Sequence, residues 1–442
     1  MLTRIEIDGF KSFEGFGLNL RPLTAVVGPN ASGKSNLFDA LRFLSSLVKH
    51  DIRTAMQDLR GEPEELFRKT PAGQSECMSF AVEVLLPRKG IDAFGTSYEI
   101  VGQRLRYELK LALSVGSDGN PKGVYVREER CTALAKKNDR ASFLAGKSIK
   151  YNSRVSPYIE VEGGAILVRQ DGRQKHGRPV QLSLKEASRT ALSTITTSEF
   201  PHLYALRESL SAIKFLEINP KLARSASDRY EDHVLKPDAS NLAAVLARLK
   251  EATADKVRPK GVLSDIAADL ASLIPSVSRL IVHDDAGQKQ YSFTLQFADQ
   301  QVFSSRVISD GTLRLLALLT VLHDPDRKGT LCFEEPENGV HEGRVPMLVE
   351  YLRLASELPA DPDDPTFQVL LNTHSPRVMS SLNNEEIVAA DTVAVVDPKT
   401  KSRVVRTRMR SGVTDSQDLL DPETTLTRFE VERLLQHPND AA

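Results

Sequence analysis

The sequence predicts an α/β fold that carries an antiparallel β-rich lobe and a mostly helical insertion, with no long coiled coil. Three observations predict it. First, the short apolar run Leu23-Thr24-Ala25-Val26-Val27 ends at a glycine, and Leu37, Leu41, Leu44 and Val48 then recur at helical spacing. Second, Leu105, Tyr107, Leu109, Leu111 and Leu113 alternate with Arg106, Glu108, Lys110 and Ala112, the period of a strand with one solvated face. Third, after Ser309 an almost wholly apolar helix, Leu313 to Leu322, is followed by strand, helix and strand again.

Composition sets the class. The 442 residues hold 58 Lys+Arg against 59 Asp+Glu, so the net charge of -1 argues against a surface coated with nucleic acid. Cys77, Cys131 and Cys332 are odd in number and widely spaced, which gives neither a disulfide framework nor a metal-ligand pattern. No run of about 18 apolar residues marks a membrane span, and the start, MLTRIEIDGFKSF, lacks the apolar core of a secretory signal. A cytoplasmic protein with no membrane partner is expected.

Four segments are expected along the chain. Residues 1–75 open with a half-buried strand, Leu2 to Ile7, and carry the strand–loop–helix unit. Residues 76–180 form the β-rich lobe, with turn chemistry at Gly116-Ser117-Asp118-Gly119-Asn120-Pro121. Residues 181–300 read as mostly helical, as in Leu242, Val245, Leu246 and Leu249, and end in a hairpin with Tyr291, Phe293, Leu295 and Phe297 on one face. Residues 301–442 return to α/β.

Four motifs carry chemistry. Gly28-Pro29-Asn30-Ala31-Ser32-Gly33-Lys34-Ser35, followed by Asn36, fits G-x-x-x-x-G-K-S between a strand and a helix. Backbone N–H groups of such a loop converge on phosphate oxygens, and the helix N-terminus adds partial positive charge. Lys34 would reach the β/γ-phosphates and Ser35 would ligate Mg²⁺. The apolar run before Glu334-Glu335-Pro336-Glu337-Asn338-Gly339-Val340-His341 places acidic residues at a strand end, with Glu334 assigned to the magnesium and Glu335 to the attacking water. Ser309, Asp310 and Gly311 precede the apolar helix and can present a hydroxyl and backbone N–H groups to an anion; a plain N-cap explains Ser309 or Asp310 equally. His374 ends the strand of LNTHSP, where it can hydrogen-bond a phosphate or a water.

The order of these motifs resembles that of ABC-type ATPases, in which Walker A, signature, Walker B and H-loop follow one another. GFKSF, GPNASGKSN, ISDGTLR, EEPENGVH and NTHSP resemble the SMC/RecF class, and more narrowly the stand-alone ATPases related to the ATPase half of OLD-family proteins. The resemblance implies an enzyme that binds ATP with Mg²⁺ and hydrolyses it in a head-to-tail dimer or higher homo-oligomer. It implies that Ser309 and Gly311 touch the partner's γ-phosphate, that His374 senses it, and that Pro336 to His341 cross the interface. Glu334 stands where that family usually has aspartate. Gln74 lies in the expected region for the family's Q-loop, but nothing around it is distinctive.

The stretch between Lys34 and Asp310 separates this chain from transporter subunits, which bring those motifs much closer. Pro201, Pro220, Pro237, Pro259 and Pro275 interrupt the helical region, so no SMC-type coiled coil fits there. After His374 come Asp391, Asp397, Asp415, Asp418 and Asp421 but no Asp-x-Asp, so an OLD-type Toprim nuclease is not expected. A separate effector protein, nuclease or toxin, is expected instead, as in bacterial anti-phage systems. In Lys399 to Arg410, a strand would put Arg406, Arg408 and Arg410 on one face, a surface for nucleic acid or an acidic partner, or equally an edge kept soluble by charge. Pro359 to Pro365 reads as a solvated acidic loop. Two rival functions stay open: a nucleotide-gated scaffold that holds an effector with little hydrolysis, and a RecF-like DNA-repair ATPase.

Overall fold

The computed structural model describes residues 1–71, 73–116, 121–152, 156–171, 179–361, 363–396, 400–414 and 424–436. Part of the turn at 116–121, and Pro362, Asp397, Lys399, Asp415, Asp418 and Asp421, lie outside the described residues.

The chain opens with β1 (Leu2–Asp8) and β2 (Phe16–Asn19), then β3 (Leu23–Val27), which leads into α1 (Lys34–Leu47). There follow β4 (Cys77–Leu85), β5 (Arg104–Val115), β6 (Pro121–Ala133), β7 (Ile159–Glu162), β8 (Ala165–Val168) and β9 (Val180–Ser183). Among the described residues these make an eight-stranded antiparallel sheet in the order β9-β8-β7-β6-β5-β4-β1-β2. Its alternation is the one the period of two requires. Leu105, Tyr107, Leu109 and Leu111 are buried, while Arg106 on the other face reaches Glu6 and Glu83 across the strands and Glu108 two residues along its own.

The second half supplies α2 (Pro201–Ser211), β10 (Ile213–Leu216), α3 (Leu242–Thr253), α4 (Leu263–Leu273), β11 (Val277–Asp285) and β12 (Gln290–Phe297). Then come α5 (Asp310–Leu322), β13 (Gly329–Glu334), α6 (Val345–Ala355), β14 (Phe367–Thr373), α7 (Pro376–Ser381), β15 (Ile387–Val396) and β16 (Arg403–Arg410). A second sheet runs β10-β13-β14-β3-β15-β16, parallel except for its last strand.

This parallel sheet is buried on both faces, and every residue of β3 and β14 is buried, which explains the apolar runs at their centres. Val26 and Leu370 point into a core shared with α1 and the antiparallel sheet. Ala25, Val27, Val369 and Leu371 point into a second core built from α3, α4, α5 and α6. The nucleotide-type loop between β3 and α1 therefore leaves the sheet at its centre, between two packed layers.

The sheets cut across the four expected segments. β1 and β2 pair with β4, so residues on both sides of position 75 share one sheet. Ile213–Leu216 lies inside the stretch read as mostly helical, yet it is the outermost strand of the parallel sheet, in register with Thr330 to Phe333. Four residues, Ile213-Lys214-Phe215-Leu216, are too few to carry a period that separates strand from helix, and only the neighbouring strand decides it.

Candidate functional site

The loop of residues 28–33 turns tightly because two of its residues adopt the left-handed conformation, Ala31 at φ 63° and Gly33 at φ 91°. Gly33 has a second reason to be glycine: a Cβ there would overlap the side chain of Thr407. Lys34 Nζ donates to the carbonyls of Gly28 at 2.8 Å and Pro29 at 2.6 Å. Burial pushes its pKa down, and the nearby Glu335 and Glu334 push it back up. Ser32 Oγ is buried with no partner, an orphaned donor inside a loop whose chemistry suits phosphate oxygens. Asn36 Nδ2 donates to Ser12 Oγ at 2.8 Å, and Ser12 Oγ lies 2.7 Å from Thr407 Oγ1.

The acidic side comes from the strand ends next to β3. β13 finishes at Glu334, directly opposite Asn372 on β14, and Asn372 Nδ2 donates to Glu334 Oε1 at 2.9 Å. Glu335 is left-handed, at φ 48°, a conformation that costs a non-glycine residue about 1–2 kcal/mol. It is held there from several sides. Its N–H donates to the Asn372 carbonyl at 2.9 Å, and Asn338 Nδ2 donates to its Oε2 at 2.7 Å. His374 Nδ1 stands 3.1 Å from its Oε1. Glu337 is largely buried, which raises its pKa, and Thr373 Oγ1 donates to it at 2.6 Å.

Lys34, Ser35 and Asn36 share one cavity of about 430 Å³ with Asn30, Ala31, Gly33, Glu334 and Glu335. Asn372 lines it too, as do Ser12, Thr392, Val405, Arg406 and Thr407. Residues far apart in sequence thus meet over the C-terminal end of β3, the place where open parallel sheets bind ligands. Ser309, Asp310 and Gly311 are not part of that lining. Ser309 Oγ caps α5 by accepting from Thr312 N at 3.2 Å, and Arg224 pairs with Asp310 and donates to the Ile308 carbonyl at 2.7 Å. Gly311 instead packs on the loop after β13, where a Cβ would sit 2.7 Å from Gly339 Cα. Gln74 lies in a short surface hairpin and donates to the Glu64 carbonyl, away from the cavity.

The expected strand forms as β16, with Arg406, Arg408 and Arg410 at alternate positions. Arg408 Nη2 and Arg410 Nη2 reach Asp391 Oδ2 at 2.7 and 2.6 Å, and Asp391 is buried. Those two guanidiniums share one carboxylate within the hairpin of β15 and β16, because the register sets Asp391 directly across from Arg408.

Comparison with known proteins places this arrangement. The family described as "AAA domain, putative AbiEii toxin, Type IV TA system" matches residues 23–129 and 135–380, which include the phosphate-type loop, the acidic strand end and His374. The chain belongs to this AAA family. It is 25% identical over 302 residues to the chromosome partition protein Smc of Rhodopseudomonas palustris, covering 65% of this chain and 25% of that one. It is 32% identical over 107 residues to structural maintenance of chromosomes protein 1 of Arabidopsis thaliana, covering 22% of this chain and 9% of that one. The chain thus spans a quarter or less of the length of these two relatives. Among solved structures it resembles an SmcHead bound to the C-winged helix domain of ScpA, with a TM-score of 0.51, 14% identity and coverage of 93% and 97%. The fold is that of an SMC head-like P-loop ATPase.

Several residues that shape the site in this member of the family were given no role by the motifs. Arg314, on α5, donates to the Glu335 carbonyl at 3.4 Å and to that of Glu334, and its guanidinium lies 4.7 Å from the Phe333 ring. Burial lowers its pKa against the pull of Glu335, Glu337 and Glu334. It closes the ISDGTLR motif and is the one charged letter in the apolar stretch Leu313 to Leu322. Thr392, Val405 and Thr407 leave no such mark, since they reach the loop only through sheet pairing.

Proposed function

We propose that this chain is an ATPase that binds ATP with Mg²⁺, pairs head to tail with a second copy, and uses its nucleotide state to control a separate effector in anti-phage defence. The observation that carries the reading is the shared cavity in which Lys34, Ser35, Glu334 and Glu335 meet, with His374 against Glu335. Family membership and the SMC head-like fold support it. The effector and defence roles rest on the motif resemblance alone.

The residues fit the chemistry. The 28–33 loop and α1 would hold the triphosphate, with Lys34 turning from its carbonyl partners to the β/γ oxygens. Mg²⁺ supplies charge neutralisation when bound, and the Ser35 hydroxyl and Glu334 carboxylate are the kind of donors it uses when phosphate and water complete its shell. Glu335 would orient the attacking water, its carboxylate fixed by Asn338 and His374. Ser309 and Gly311, outside their own chain's cavity, would serve a partner's nucleotide.

Light scattering with and without ATP–Mg²⁺ tests the reading. Dimers that form with ATP, and persist in Glu335→Gln, are expected. A mass that ignores nucleotide would favour the scaffold alternative, with ATP acting inside a preformed oligomer. The pairing of Arg408 and Arg410 with Asp391 weakens the case for a DNA surface on β16.

A further inference from the structure

The cavity has two sides. In the parallel sheet, β13 and β14 lie on one side of β3, and β15 and β16 on the other. The first side contributes Glu334, Glu335 and Asn372; the second contributes Thr392, Val405, Arg406 and Thr407, and Ser12 leans on Thr407. Resting on the nucleotide-binding proposal, the acid-bearing side takes the metal and the terminal phosphate. The remainder of the ligand then points across β3 toward β15 and β16. From β14 to β16 is three inter-strand spacings of about 4.8 Å, more room than three linked phosphates fill.

The second side has the character of a nucleoside wall. Strand alternation puts Val405, Thr407 and Met409 on one face of β16, and Arg406, Arg408 and Arg410 on the other. The packing of Thr407 on Gly33 fixes the first face toward the loop. Thr407 is held further by its N–H donating to the Ser12 carbonyl at 3.2 Å and by the contact between its hydroxyl and that of Ser12. On this anchored face Val405 is 55% exposed, an apolar side chain lining a cavity beside hydroxyl groups. Ligand pockets pair apolar surface with a few placed polar groups in this way.

We propose that Thr392, Val405 and Thr407 form the nucleoside-binding part of the cavity, with Val405 as the surface on which the base lies. β16 thereby completes the site, although it follows His374 and belongs to none of the sequence motifs.

Isothermal titration of the full chain with ATP and, separately, inorganic tripolyphosphate, both with Mg²⁺, tests this on wild type, Val405→Ala, Val405→Phe and Lys34→Ala. Because Val405 is exposed, neither replacement removes a core contact. Val405→Phe should tighten ATP by about tenfold through stacking, and Val405→Ala should weaken it by about threefold, the weight of the apolar surface lost. Tripolyphosphate affinity should stay within about twofold of wild type in both, as a ligand without a base. If the Val405 variants shift ATP no more than tripolyphosphate, or shift neither, the nucleoside wall is wrong while the phosphate site stands. Lys34→Ala should weaken both ligands; if it weakens neither, the phosphate site itself is misplaced and the wall falls with it.

Discussion

His374 Nδ1 lies 3.1 Å from Glu335 Oε1, so the end of β14 braces the residue that follows β13. Glu335 occupies a strained backbone conformation between two adjacent parallel strands, and His374 and Asn338 fix which way its carboxylate faces. Exchanging the carboxylate for an amide keeps the shape and removes the basicity. Glu335→Gln should keep ATP affinity and lower kcat by about 10²–10⁴, read by single-turnover hydrolysis beside a binding titration. An unchanged kcat would remove Glu335 from the water-activating role.

His374→Ala should lower kcat by a smaller factor, about tenfold, because it removes a brace and leaves the base in place. The split between kcat and KM shows which. A rise in KM with kcat intact would mean that His374 serves binding alone.

The backbone contact between Gly311 and Gly339 ties the start of α5 to the loop after β13. Gly339 also sits at φ 91°, where a side chain is strained. Gly311→Ala must push the two backbones apart and should destabilise the fold by about 1–3 kcal/mol, seen as a lower urea midpoint at unchanged m. A midpoint equal to wild type would show that the loop yields freely.

Arg314 donates to two carbonyls at the acidic strand end. Arg314→Met leaves those carbonyls short of a donor and should cost about 1–3 kcal/mol. Arg314→Lys should recover only part of it, since an ammonium cannot copy the planar fork that lies on Phe333. Full recovery by lysine would reduce the role of Arg314 to charge.

Burial raises the Glu337 pKa above its unfolded value, against the Thr373 hydrogen bond. Between the unfolded and the folded pKa the native state binds more protons than the unfolded one, so this group's contribution falls as pH rises through that window. Above it, an ionised carboxylate stays buried at a cost. Glu337→Gln keeps an acceptor for Thr373 Oγ1 and should flatten that part of the stability profile from the ordinary carboxylate value of 4.5 upward, measured by urea unfolding. The same slope in the variant would place its origin elsewhere.

Much of the site was legible because its parts are local. A glycine-rich loop between a strand and a helix, and carboxylates at the end of an apolar strand, announce themselves in a few consecutive letters. Gln74 shows the opposite case: position along the chain suggests a role, and a surface hairpin takes it away from the cavity. The three arginines of β16 show another. Their alternation does place them on one face, but no letter near them signals that Asp391 lies opposite.

The letters alone were enough for the α/β class, the phosphate-type loop, Glu334 with Glu335, and the antiparallel lobe. Each depends on spacing within a single strand, loop or helix, where backbone geometry turns letters directly into direction. What those parts meet was settled in three dimensions. Packing made Ile213–Leu216 a strand by giving it β13 to pair with, set Arg314 on the carbonyls of Glu334 and Glu335, and brought Thr392, Val405 and Thr407 to the far wall of the cavity. Strand order in a parallel sheet is fixed by long crossovers and by two cores packing on opposite faces. No local pattern encodes it.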